Sequence, residues 1–160
     1  MKTVGSLHVS LPSEREIALT RIFTAPRRLV YRAYTEPDLV RRWAAGPPGW
    51  RFAVCEIDLR VGGAWRWVLE GPSGERMGLG GVYREIVPFE QLVSTERFDE
   101  PWYEGDAISR VTFTEDRGQT RLTVTVRYDS QAIRDAVLQS PMAEGMAHGL
   151  DQLESVLKEL

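Results

Sequence analysis

Residues 140–160 read SPMAEGMAHGLDQLESVLKEL, a pattern that an amphipathic helix explains and a strand does not. Ser140 is placed as the N-cap and Pro141 at the first helical position, where a missing N–H leaves no hydrogen bond unmade. At roughly 100° per residue, Met142, Met146, Gly149, Leu150, Leu153, Val156, Leu157 and Leu160 share one face. Asp151, Gln152, Ser155, Lys158 and Glu159 lie on the other. At ~1.5 Å per residue the helix is about 30 Å long, enough to cross a small domain. Its apolar stripe needs a sheet to lie against.

The chain before it supplies one. Leu122, Val124, Val126 and Tyr128 alternate with Thr123, Thr125 and Arg127, the pattern of a half-buried antiparallel strand. Residues 107–114 pair with it as a hairpin, and residues 91–98 form another strand. Residues 77–87 form a strand containing Gly78, Gly80 and Gly81, which mark a bulge or bend. Residues 52–61 alternate with Ala53, Cys55, Ile57, Leu59 and Val61 on one side, and Gly62-Gly63 turns the chain into AWRWVLEG, where Trp65, Trp67 and Leu69 share a face. REIALTRIF, from Arg15, is the first strand; Arg21 keeps register with its apolar residues and is read as a paired or snorkelling arginine. Two short helices follow, the first beginning at Pro26 with Leu29, Val30, Ala33 and Tyr34 buried, the second being DLVRRW, which ends near Trp43. Residues 130–138 form a further short helix. The expected architecture is α+β: an antiparallel sheet of six to seven strands whose apolar face is covered by the end helices, above all the long C-terminal one. Residues 1–13 form an N-terminal extension that pairs, if at all, as an edge, and residues 14–160 form a single domain.

Composition narrows the function. At 160 residues with 42% hydrophobic content the chain can build a core without metal or disulfide. A net charge of −3 gives no basic excess for nucleic acid. Its one cysteine, Cys55, cannot form an internal disulfide and fits a reducing compartment. No apolar run has the length of a signal peptide or a membrane span. The reading is a cytoplasmic protein with no membrane insertion. His8 lies in the extension and His148 on the polar side of the last helix, so neither is assigned to catalysis, and no His/Cys/Asp cluster has metal-ligand spacing. Neither a metal nor a cofactor is expected, and no catalytic residue is assigned.

RIFTAP (21–26), EPDLVRRW (36–43), DLRVGGAWRW (58–67), GPSGE (71–75), GVYREIVP (81–88) and EGMAHGLDQL (144–153) occur in an order that resembles the activator-of-heat-shock-protein-90-ATPase-like family, within the START-like (SRPBCC) helix-grip superfamily. The resemblance covers roughly residues 15–160. It implies a curved antiparallel sheet of six to seven strands gripping the long C-terminal helix, with a cavity between them that superfamily relatives use for lipids, sterols, polyketides and other hydrophobic molecules. Co-chaperone activity belongs to eukaryotic two-domain relatives with an additional N-terminal chaperone-binding domain, so the resemblance alone does not carry it over to this chain.

The expected pocket lining is Trp43, Trp65, Trp67, Tyr83, Glu85, Phe113, Met142, Met146 and Gly149, aromatic and adaptable apolar groups with one acid. Arg21, Glu96 and Arg110 are further candidates for a polar contact, Arg21 as a partner of Glu85. Trp102 and Tyr103 lie in a loop that suits a cavity mouth or an interface. The leading functional expectation is a non-catalytic binding protein for a small hydrophobic ligand. A polyketide cyclase or hydrolase-like enzyme using Glu85, Glu96 or Tyr83 is the first alternative. The second is a chaperone-related or stress-response interaction module. A homodimer is the superfamily's habit.

Overall fold

The computed structural model describes residues 2–160. Its elements run β1 (Lys2–Val4), β2 (Leu7–Ser10), β3 (Glu16–Phe23), α1 (Arg27–Thr35), α2 (Pro37–Trp43), β4 (Arg51–Ile57), β5 (Ala64–Glu70), β6 (Arg76–Val87), β7 (Gln91–Phe98), β8 (Ala107–Asp116), β9 (Gln119–Arg127), α3 (Gln131–Gln139) and α4 (Met142–Leu157). The strands form one antiparallel sheet in the order β1-β2-β3-β9-β8-β7-β6-β5-β4. Every pairing except β3–β9 joins neighbours in sequence, as short turns require.

The sheet has nine strands, not six to seven. The additional pair is β1 and β2, which turn about Gly5 at φ +59° and join the edge of β3. Leu7 and Val9 are buried, so the N-terminal residues contribute to the core as well as to the edge. The alternation expected through Val61 ends at Ile57: Asp58–Gly63 is a turn, leaving Leu59 and Val61 exposed.

Along β3, Ile17, Leu19, Arg21 and Phe23 are buried on one face. Arg21 reaches the C-terminal half of α4, donating to Asp151 at 2.6 Å and Glu154 at 3.2 Å, with its guanidinium 5.0 Å from the Phe23 ring centre. Its partners are therefore on the helix, and the proposed pairing with Glu85 does not form. α4 begins one residue later than expected, at Met142, and ends before Leu160, which is exposed. Ala143 and Ala147 are buried in an i, i+4, i+7 row with Leu150, so two alanines widen the buried stripe.

Apolar packing falls into two clusters. One joins α4 and α1 to β3, β8 and β9 through Leu19, Phe23, Val30, Phe113, Leu122, Leu150 and Leu153. The other joins Val40 of α2 to Phe52, Cys55, Trp65, Leu69, Leu79 and Tyr83 on β4–β6.

The β6–β7 ladder is broken beside the second cluster. Pairing passes from Gly80–Arg97 to Tyr83–Ser94, skipping Gly81 and Val82. The Thr95 carbonyl instead accepts from Trp65 Nε1 at 3.2 Å, and the Thr95 hydroxyl accepts from the Val82 N–H at 2.9 Å. Gly81 lies so close to β7 that a Cβ there would overlap the Thr95 carbonyl. A register shift between Tyr83 and Glu85 follows.

Candidate functional site

The two clusters leave a cavity of about 290 Å³ between the sheet and the N-terminal half of α4. Its floor is Leu19 of β3, Val111 of β8, and Val124 and Val126 of β9; its roof is Met142, Met146 and Gly149 of α4. Tyr34 of α1, Trp43 of α2, Trp67 of β5 and Tyr128 add aromatic walls. A second space of about 690 Å³ adjoins it and shares Trp67, Glu96, Tyr128 and Met142. Phe98, Trp102, Tyr103 and Pro141 border that outer part. Trp102 is 52% exposed, as suits a rim.

Of the residues proposed from the sequence as pocket lining, the structure places Trp43, Trp67, Met142, Met146 and Gly149 at the border of the cavity. Trp65, Tyr83 and Phe113 are buried but border neither space. Trp65 is held by its bond to Thr95, Tyr83 is packed in the second cluster, and Phe113 makes edge contacts with Tyr31 and Tyr34 at 5.4 and 5.7 Å. Glu85 is exposed and accepts from Gln91 Nε2 at 2.7 Å. The register shift before it breaks the strict alternation that placed it on the face of Tyr83. Arg110 is exposed as well.

Glu96 is the acid that borders both spaces. By accessible surface it is only half-buried, but that surface borders the cavities, and its carboxyl lies deep among protein atoms. Desolvation raises its pKa. Burial, with the Glu96 charge as the second cause, also raises the pKa values of Tyr34 and Tyr128, and pushes Tyr103 up to about 12. The Tyr34 hydroxyl and Trp67 Nε1 are buried without a hydrogen-bond partner among the described residues. Tyr34 packs against Trp43 with ring centres 4.9 Å apart. Tyr34 was legible as a buried helix residue; its unpaired hydroxyl was not, because that depends on what three other elements leave empty.

The raised Glu96 pKa fixes a sign. The folded protein keeps this proton to higher pH than the unfolded chain, so it binds more protons above the ordinary carboxylate range. Stability is fully present below the unfolded pKa and falls as pH rises through the folded one. Glu96→Gln is expected to remove that fall and to be more stable than the parent at the upper end of the window, by about 1 kcal/mol or more. Thermal melts across pH check this; parallel profiles for the two proteins would contradict it.

The glycines of α4 have room beside them. A Cβ on Gly145 meets nothing within 4 Å, and one on Gly149 comes only to 3.6 Å from the Trp43 carbonyl oxygen. Neither is needed for close packing. Gly145→Ala is expected to raise stability by about 0.5–1 kcal/mol through helix propensity, read as a higher Tm.

The sequence model of the family described as Activator of Hsp90 ATPase homolog 1-like protein matches residues 24–158. The chain belongs to this family. Activator of Hsp90 ATPase homolog 1-like membership fits the helix-grip arrangement of sheet and C-terminal helix. A crystal structure of a Rhodobacter sphaeroides protein is similar, with 28% identity and a TM-score of 0.91 over 97% of this chain and 99% of that one. A Chromobacterium violaceum protein is 30% identical, with a TM-score of 0.75 over 91% of this chain and 98% of its own. An AHSA1-like protein from Aeromonas hydrophila shares the fold at 18% identity, with a TM-score of 0.65 over 89% and 92% of the two chains. No curated protein matches the sequence. Among the described residues no helix is long and apolar enough to cross a membrane.

Proposed function

We propose that this family member binds a small, largely apolar molecule between its sheet and α4, and that binding rather than catalysis is its role. The observation that carries the reading is the inner cavity itself: aliphatic floor, methionine roof, aromatic ends and a single acid. Its volume of about 290 Å³ is near the lower end of the range of roughly 300–1,000 Å³ typical of small-molecule sites, and the adjoining space extends it. Met142 and Met146 supply a wall that adjusts to ligand shape. Glu96 and Tyr34 would orient a polar end. The buried, single Cys55 is in keeping with a cytoplasmic setting.

Native mass spectrometry of protein purified from its host, with titration of an environment-sensitive apolar dye, tests the reading. A co-purified small molecule that competes with saturable dye uptake is expected. Absence of both would sink it.

Glu96 also supports a second reading, a cyclase or hydrolase-like enzyme. A carboxyl with a raised pKa beside a buried phenol is the equipment of general acid–base chemistry. Turnover of a bound polyketide-like substrate that is lost in Glu96→Gln would favour it over simple binding.

A further inference from the structure

The cavity wall carries charge of one sign. Among the described residues bordering the inner and outer spaces there is no lysine, arginine or histidine, and Glu96 is the ionisable acid they share. Arg21 is paired with Asp151 and Glu154, Arg66 with Asp99 and Arg97 with Asp106, all outside the lining of the two spaces. A carboxylate without a partner in an apolar wall is costly, and a cation close by offsets that cost. An anionic head group would place a second negative charge beside the first.

The rings near this acid add a second observation. Tyr34, Trp43, Trp67, Tyr103 and Tyr128 border the same spaces, with Tyr34 and Trp43 4.9 Å apart and Tyr103 and Tyr128 5.6 Å apart. Electron-rich faces around a carboxylate attract an ammonium group. The Tyr34 hydroxyl, buried and unpartnered, can accept a hydrogen bond from it.

We propose that the ligand is a small apolar amine, held as its ammonium ion between the Glu96 carboxylate and these aromatic faces. This rests on the binding reading above and specifies its chemistry. Fatty acids and other apolar anions are rejected by the same wall. The competing head group is a neutral oxygen, which would use Glu96 as a protonated donor.

Three probes with one body and different heads separate these cases: phenylbutylamine, phenylbutanol and phenylbutyrate, measured by calorimetry at neutral pH on the wild-type protein. The amine is expected to bind on the order of tenfold tighter than the alcohol, and the carboxylate most weakly. In Glu96→Gln the amine should lose its advantage and bind no tighter than the alcohol does to the same variant. Alcohol or carboxylate binding as tight as the amine overturns the amine assignment and leaves the cavity reading standing. So does an amine preference that survives Glu96→Gln. Failure of all three probes, with no dye uptake, overturns both. The wild-type comparison stands without the variant, so a misfolded Glu96→Gln does not rescue the idea.

Discussion

Gly149→Leu should fold and lose its ligand. The glycine faces Trp43 at ordinary contact distance, with the nearest atom 3.6 Å from an added Cβ. The first carbon therefore fits, and the isobutyl end extends into the space bounded by Met142 and Met146. Helix propensity favours leucine by about 0.8–1 kcal/mol over glycine, which offsets modest crowding. Uptake of apolar dye is expected to drop by tenfold or more, equivalent to about 1.4 kcal/mol, while the melting temperature changes by only a few degrees. Wild-type uptake in a folded variant would show that the cavity under Gly149 is not the binding site. A variant that cannot fold would show that the glycine serves packing.

Gly81→Ala should do the opposite, harming the fold rather than the site. Its Cβ would overlap the carbonyl of Thr95, a backbone group. That carbonyl is fixed by Trp65 Nε1 at 3.2 Å, and the neighbouring Val82 N–H is fixed by the Thr95 hydroxyl at 2.9 Å. Relief requires β6 and β7 to separate locally, so a loss of about 3 kcal/mol or more is expected. Denaturant unfolding measures it. A loss below 1 kcal/mol would mean that the strands part easily here and that the close approach is not a constraint.

These two glycines show how far residue type alone carries. Both were conspicuous in the sequence, one in a helix and one in a strand, yet only the fold tells which backs onto space and which onto a neighbouring chain segment. The helix and most strands were legible because their apolar residues recur at 3.6 and 2 residues. The β1–β2 hairpin was not recognised as added strands, because three and four residues carry too little pattern. Leu59 and Val61 continued the alternation of β4 past the point where Asp58 turns the chain. Glu85 failed for a related reason: period-2 counting does not survive a register shift. Trp65 and Phe113 are large apolar residues that end up buried, and residue type does not separate a filled core from a cavity wall. Glu96 was recognisable as a candidate acid. Its neighbourhood with Tyr34, Tyr103 and Tyr128, whose pKa values its charge helps to raise, joins an early helix, a loop and the residue after the last strand, and no local pattern shows that.

The ion pairs of Arg21 divide α4 mechanically. Asp151 and Glu154 tie its C-terminal half to β3, and Leu150 and Leu153 are fully packed there. The N-terminal half spans the cavity on two methionines and two glycines. The helix is thus a cantilever, clamped by ion pairs at one end and bordering the cavity at the other. Amide exchange should run faster at residues 146–149 than at 153–156, and a bound molecule should slow the first group alone. A ligand could then be admitted by bending half a helix, with the sheet and the clamp left undisturbed.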